Sequence, residues 1–508
     1  MTWLLPPVST SATSNMSISV ARWRRAWCLL RPVAAGTTRM TGDAPGVTPP
    51  GELGRSLGLF DAVVIGLGAM LGAGIFAALA PAARAAGSGL LVGLAVAAFI
   101  AYCNGTSSAK LAALYPQSGG TYVYGRNRLG EFWGFFAGWG FVTGKVASCT
   151  AMALTVGAYA WPSHAHQVAV AAVVSMTAVN YFGIKKSAWL TRVIVVVVLA
   201  VLAAVVASVA ASGAASSVRT VIAPTASFAG VVQAAGFLFF AFAGYARIAT
   251  LGEEVRDPAR TIPRAIPVAL TLTLIVYATV AVSALAALGP EQLADSVSPL
   301  TDAVRVSGDG WLVPVVAVGA AVAALGSLLA LILGVSRTSL AMARDRHLPH
   351  ALAAVHPRYK VPHRIEFTVG MAVAILAACS DIRGAIGFSS FAVLTYYAVT
   401  NASALTLGDD EGRLPRMVPI AGLLGCVLLA VFMPIRSVEA GVIVSVVGVV
   451  YYVTRKMLLG ARASRDHRSQ YVADGIRDAE RKSTTDDVSG DSPSLRSSTE
   501  ARRDRSGD

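Results

Sequence analysis

The chain has 508 residues, 55% of them hydrophobic and only 14% charged, with a mean hydropathy of +0.61. Soluble domains average about 25% charged residues, so the composition excludes an ordinary soluble protein and leaves a chain solvated largely by lipid. The net charge of +14 would suit a nucleic-acid binder, but the basic residues gather in alternate loops, which excludes that as well.

Residues 1–55, rich in Ser, Thr, Pro and Arg, read as a disordered cytoplasmic segment. Its run Arg22-Trp-Arg-Arg-Ala-Trp27 is of a kind that touches anionic lipid, and the composition changes at Met40, an alternative start to Met1. No apolar run of signal-peptide length follows the arginines. Twelve apolar stretches come next, at roughly 60–82, 89–113, 132–160, 167–184, 190–211, 228–255, 264–289, 311–336, 365–380, 385–407, 417–434 and 438–454. Each is long enough, or nearly so, to span a bilayer as a helix. They predict one all-α integral membrane domain over 56–456, with about twelve transmembrane helices. Residues 457–508 alternate basic, acidic and Ser-rich runs and read as a disordered cytoplasmic tail.

With the N-terminus inside, 35 of the 42 Lys and Arg residues fall on the cytoplasmic side. Only Arg84, Arg219, Arg305, Arg383 and Arg436 fall outside, and Lys145 and Arg247 lie within spans. This is the positive-inside pattern at every loop pair, and it predicts a multi-pass protein of the plasma membrane with both termini in the cytoplasm.

The first stretch carries four glycines, the last two in Gly72-Ala73-Gly74. A membrane helix is broken there only if the freed backbone groups find partners, such as a bound ligand. Amides opening the second half-helix suit a substrate carboxylate, while carbonyls near Met70 and Leu71 suit an ammonium group. A second interruption, from Phe240 to Gly244, lies within the sixth stretch and offers matching carbonyls. An α-amino acid, with both groups on one carbon, fits that pair best. The competing reading is small-residue helix packing, because Gly68 and Gly72 are four apart. Five stretches from each break onward read as an inverted 5+5 repeat, with the last two helices left for packing or a homodimer contact. Gly74→Leu is expected to abolish transport with insertion nearly intact.

The chain resembles the amino acid–polyamine–organocation (APC) superfamily across about 57–456. Four motifs carry the resemblance: Gly72-Ala-Gly-Ile-Phe76; Pro116-Gln-Ser-Gly-Gly-Thr-Tyr-Val-Tyr124; Gly252-Glu-Glu-Val-Arg-Asp-Pro258 with Ile262-Pro263; and Arg337 with Met342-Ala-Arg-Asp345 and Leu348-Pro349. The resemblance implies amino acid movement by alternating access. It assigns the substrate carboxylate to the amides of Ala73 and Gly74, the ammonium to carbonyls of Met70, Phe240 and Ala243, and an aromatic gate to Phe240. Proton-coupled members carry a lysine in the fifth span, where this chain has Val198.

Lys145 lies in the middle of the third span, where a charge costs roughly 2.5–3.5 kcal/mol on insertion scales. It is a candidate for proton coupling or, with Arg247, for recognising an acidic substrate side chain. Glu253 and Glu254 are candidates for latching the inner gate against basic residues, with a solvated interfacial cluster as the alternative. His347, His350, His356 and His363 match no metal template in their spacing, and the five scattered cysteines read as small apolar fillers. The sequence therefore predicts a secondary-active, proton-coupled amino acid permease that is not an enzyme and needs no cofactor. Its rivals are an exchanger without ion coupling and a non-transporting nutrient sensor.

Overall fold

Among the described residues helix occupies each of the twelve predicted places, because lipid offers backbone polar groups no partner except one another. The computed structural model describes residues 57–458 except 118, 183–187, 214–225, 253 and 360, together with Arg477. The segment 1–55 and the tail beyond 458, Arg477 apart, lie outside the described residues. Among the described residues there is no β-strand, only one isolated bridge between Leu57 and Val255.

The first place holds α1 (Leu59–Met70), α2 (Ala73–Ala77) and α3 (Leu79–Ala86), and the second holds α4 (Leu90–Leu114). A short helix, α5 (Thr121–Leu129), leads into α6 (Glu131–Ala160), followed by α7 (Ala165–Tyr181) and α8 (Ala188–Ala211). The sixth place holds α9 (Phe228–Phe242) and α10 (Ala246–Ala249). Then come α11 (Pro258–Asp295), the short α12 (Pro299–Val306), α13 (Val313–Arg344), α14 (His363–Cys379), α15 (Ile382–Leu405), α16 (Met417–Val431) and α17 (Ile435–Leu458). Among the described residues nine helices are long and apolar enough to cross a membrane. At the fourth, ninth and eleventh places α7, α14 and α16 are shorter, with 17, 17 and 15 residues.

Burial sorts these helices. The apolar stretch of α6 is 78% buried, against 17% for α17, so α6 forms the centre and α17 the rim. α6 packs on α13, α15 and α7, while α1 packs on α11 and α8, and α9 on α4 and α15. The chain is thus an all-α membrane protein whose two interrupted helices meet its most enclosed one.

The loops at one end are tied by polar contacts. Gly120 (φ +54°) and Gly130 (φ +107°) take backbone angles that L side chains rarely adopt, and they bracket α5. Tyr122 on α5 donates to Asp345 at 2.6 Å, Arg126 pairs with the same carboxylate, and the Tyr122 hydroxyl meets His347 Nδ1 at 2.8 Å. Arg128 pairs with Glu411; that hydrogen bond, helped by the Gly408 amide, holds the Glu411 carboxyl below its usual range. At the opposite end Arg84 closes on Asp295 at 2.6 Å. Three of the four histidines make ring contacts. His347 is enclosed by Tyr122 and Phe135, whereas the rings of His356 and His363 meet at 5.5 Å. Cys103, Cys149 and Cys426 are buried free thiols, and Cys379 is exposed.

Candidate substrate site at the two helix breaks

The first break is a true interruption. α1 ends at Met70, Leu71 and Gly72 leave helical geometry (Gly72 φ −82°, ψ −141°), and α2 restarts at Ala73. Among the described residues, the amides of Ala73, Gly74 and Ile75 have no partner in the preceding turn. The second break differs. Instead of unwinding, the chain tightens into a 3₁₀ turn over Ala243–Tyr245 and then resumes as α10. Gly244 allows this because its α-carbon lies against the first break: a β-carbon there would sit 2.4 Å from the Ala69 carbonyl oxygen.

The breaks are therefore packed on each other. A β-carbon on Gly74 would lie 2.6 Å from the Ala241 α-carbon, and one on Gly72 would lie 2.0 Å from Ser327 Oγ. At these positions glycine serves helix contact; of them the small-residue reading names Gly72 alone.

The freed carbonyls also have protein donors. Tyr277, on α11, donates to the Met70 carbonyl and lies 3.1 Å from that of Ala241, so one hydroxyl spans both interrupted helices. Ser327 donates to the Gly68 carbonyl at 3.2 Å, and Tyr159 to that of Phe76 at 2.9 Å. The Phe240 carbonyl accepts from the Ala243 amide, and the Ala243 carbonyl accepts from Lys145 Nζ at 3.4 Å. Each carbonyl has a second lone pair, so none of these bonds closes it to a ligand.

Two cavities flank this junction. The smaller is lined by Met70, Gly74, Ser148, Met152, Phe240 and Ala241. The larger runs from Phe141 and Ala243 past Gly334 to Arg247, Thr250 and Arg337. Ala69, Lys145, Gly244 and Leu331 line both. Of the predicted site residues, Met70, Gly74 and Phe240 face the smaller cavity, Ala243 and Arg247 the larger, and Lys145 stands between them. Gly72 and Ala73 line neither; Ala73 is buried in an apolar cluster with Cys149, Met152 and Leu328.

At the far end of the larger cavity Glu254 accepts from Arg337 at 2.9 Å and lies 3.7 Å from Arg247. The basic partners of this acid are thus on α13 and α10, whereas the nearby Arg260 pairs with Asp257. Glu253 lies outside the described residues.

Sequence reading did not single out Tyr277, Ser327 or Glu366. Tyr277 and Ser327 are polar groups inside apolar stretches, a signal that marks a partner without saying which. Glu366, near the start of α14, is fully buried, and neither carboxyl oxygen has a hydrogen-bond partner. It lines neither cavity.

Comparison with known proteins agrees with this architecture. A family profile described as "Amino acid permease" matches residues 57–456. An uncharacterized transporter of Mycobacterium tuberculosis is 70% identical over 409 residues, covering 80% of this chain and 93% of the relative. A branched-chain amino acid permease of Bacillus subtilis is 25% identical over 433 residues, with 79% and 93% covered. Human cationic amino acid transporter 4 is 27% identical over 391 residues, with 72% and 61% covered. The match across nearly the whole helical region, together with two interrupted helices meeting beside cavities, means that this chain belongs to the amino acid permeases of the APC superfamily.

Proposed function

We propose that the protein carries an amino acid across the cytoplasmic membrane by secondary-active, alternating-access transport coupled to protons. The observation that carries this reading is the shared wall of the two cavities, where Ala69, Lys145, Gly244 and Leu331 bring both breaks and one buried cation together. The α-carboxylate is taken by the amides of Ala73 and Gly74, which among the described residues have no partner in the preceding turn and open a helix at its positive end; of the two residues Gly74 lines the smaller cavity. The ammonium is taken by the free lone pairs of the Met70, Phe240 and Ala243 carbonyls. Phe240 covers the ligand from the smaller cavity.

The positive-inside distribution supports a cytoplasmic position for both termini and hence for the Arg337 end of the larger cavity. On that orientation Glu254, held between Arg337 and Arg247, latches the inner mouth in the state described here. Glu253, adjacent in sequence, is the second candidate for the latch. The named substrates of the relatives differ from one another, so they do not choose a substrate for this chain.

Purified protein in liposomes tests the reading. Labelled amino acids are expected to accumulate when the outside is more acidic, and the accumulation should collapse when a protonophore dissipates the gradient. Uptake that ignores the gradient and needs an internal counter-substrate would establish an exchanger without ion coupling. Folded protein that neither accumulates nor exchanges any amino acid would establish a sensor.

A further inference from the structure

The larger cavity has an unbalanced charge. Three of its lining residues are cationic, Lys145, Arg247 and Arg337, and none is Asp or Glu. Among the described residues the acid within reach is Glu254, whose one carboxylate serves Arg337 at 2.9 Å and Arg247 at 3.7 Å. Lys145 is 5% exposed, and among the described residues its hydrogen bond goes to an uncharged acceptor, the Ala243 carbonyl. A carbonyl solvates an ammonium group but does not neutralise it, and a buried charge without a counter-charge is costly. The smaller cavity, whose wall includes Lys145, holds no carboxylate either.

A bound ligand changes that balance according to its own charge. A neutral amino acid brings one carboxylate, which the amides of the first break take, and one ammonium, which adds to a wall already in positive excess. A basic side chain adds a further cation. A second carboxylate brings negative charge to a wall whose described lining has none, and Lys145 stands where the two cavities join, within reach of a ligand seated at the breaks. The Ala243 carbonyl, released when Lys145 turns to an anion, becomes free for the substrate ammonium.

We propose that the transported molecule is an amino acid with an acidic side chain, whose second carboxylate is held by Lys145 and Arg247. The proposal rests on the reading of the breaks as a transport site and adds the substrate class to it. Aligned electrostatics of this kind discriminate chiefly by repelling the wrong charge.

Counterflow in liposomes reads this directly, with labelled L-aspartate, L-leucine and L-arginine as probes. The wild-type protein is expected to exchange aspartate about tenfold faster than leucine and to exclude arginine, and Lys145→Gln should remove that preference. A second variant does not depend on Lys145. Gly334 lines the larger cavity, and a β-carbon there meets nothing within 4 Å, so Gly334→Asp places an anion in open space. It should lower aspartate exchange and raise that of leucine or arginine. Wild-type exchange of leucine or arginine at or above the aspartate rate overturns the proposal while leaving amino acid transport standing. Exchange of none of the three, with no thermal stabilisation of the folded protein by any, overturns both.

Discussion

Gly244→Val is expected to abolish transport and to lower the yield and thermal stability of folded protein. The added β-carbon would lie 2.4 Å from the Ala69 carbonyl oxygen and 2.7 Å from the Met70 amide nitrogen, and both are backbone atoms that no rotamer change can move. Overpacking at such a site costs about 1–3 kcal/mol or more, and here the strain falls on the junction of the two breaks. Gly74→Leu meets Ala241 in the same way, with its β-carbon 2.6 Å from the Ala241 α-carbon. The physical reason for its loss of transport then includes helix packing as well as ligand space, so its folding should suffer too. Gly334→Ala is the control, since its β-carbon meets nothing within 4 Å. Uptake and melting temperature, measured side by side, check the set; wild-type uptake by Gly244→Val would mean that the breaks do not meet as described.

Tyr277→Phe is expected to lower uptake about ten- to a hundredfold while the protein still folds. The ring stays in place, packed edge-on against Phe242 at 5.2 Å. Only the hydroxyl is lost, and with it the donor to the Met70 carbonyl and the contact with that of Ala241. A buried acceptor that loses its donor costs about 1–3 kcal/mol, and away from water little can replace it. Because the two carbonyls belong to different interrupted helices, the loss falls on their relative position, where transport is most sensitive. Initial uptake rates and expression in the same membranes give the result. Unaltered uptake would assign Tyr277 to packing alone.

Much of the architecture was legible because it is local. Apolar runs place the helices, and Gly72-Ala73-Gly74 marks a break within one turn of where α2 restarts. What sequence could not supply is the partner across the fold. The contact of Gly74 with Ala241 and that of Gly244 with Ala69 each join residues far apart in the chain, and no local period encodes them. The pairing of Glu254 with Arg337 was missed for the same reason, since Arg256, Arg260 and Arg264 all lie nearer in sequence. The second break was read as an interruption, yet Phe240 to Gly244 holds only one glycine, and the chain keeps its hydrogen bonds by tightening into a 3₁₀ turn. Glu366 was passed over because a single acid beside His363 and Arg364 reads as interfacial, whereas helix contacts bury it fully.

The central claim is that an amino acid binds at the junction of the two breaks and reaches into the larger cavity. Gly334→Cys tests it most directly, because the position lines that cavity and has room for a side chain. Replacing Cys28 and the exposed Cys379 by serine leaves Cys103, Cys149 and Cys426, which are buried. In membrane vesicles a small thiol reagent should alkylate Cys at position 334, and a saturating concentration of the transported amino acid should slow the reaction several-fold. Alkylation at the same rate with and without that amino acid would contradict the account.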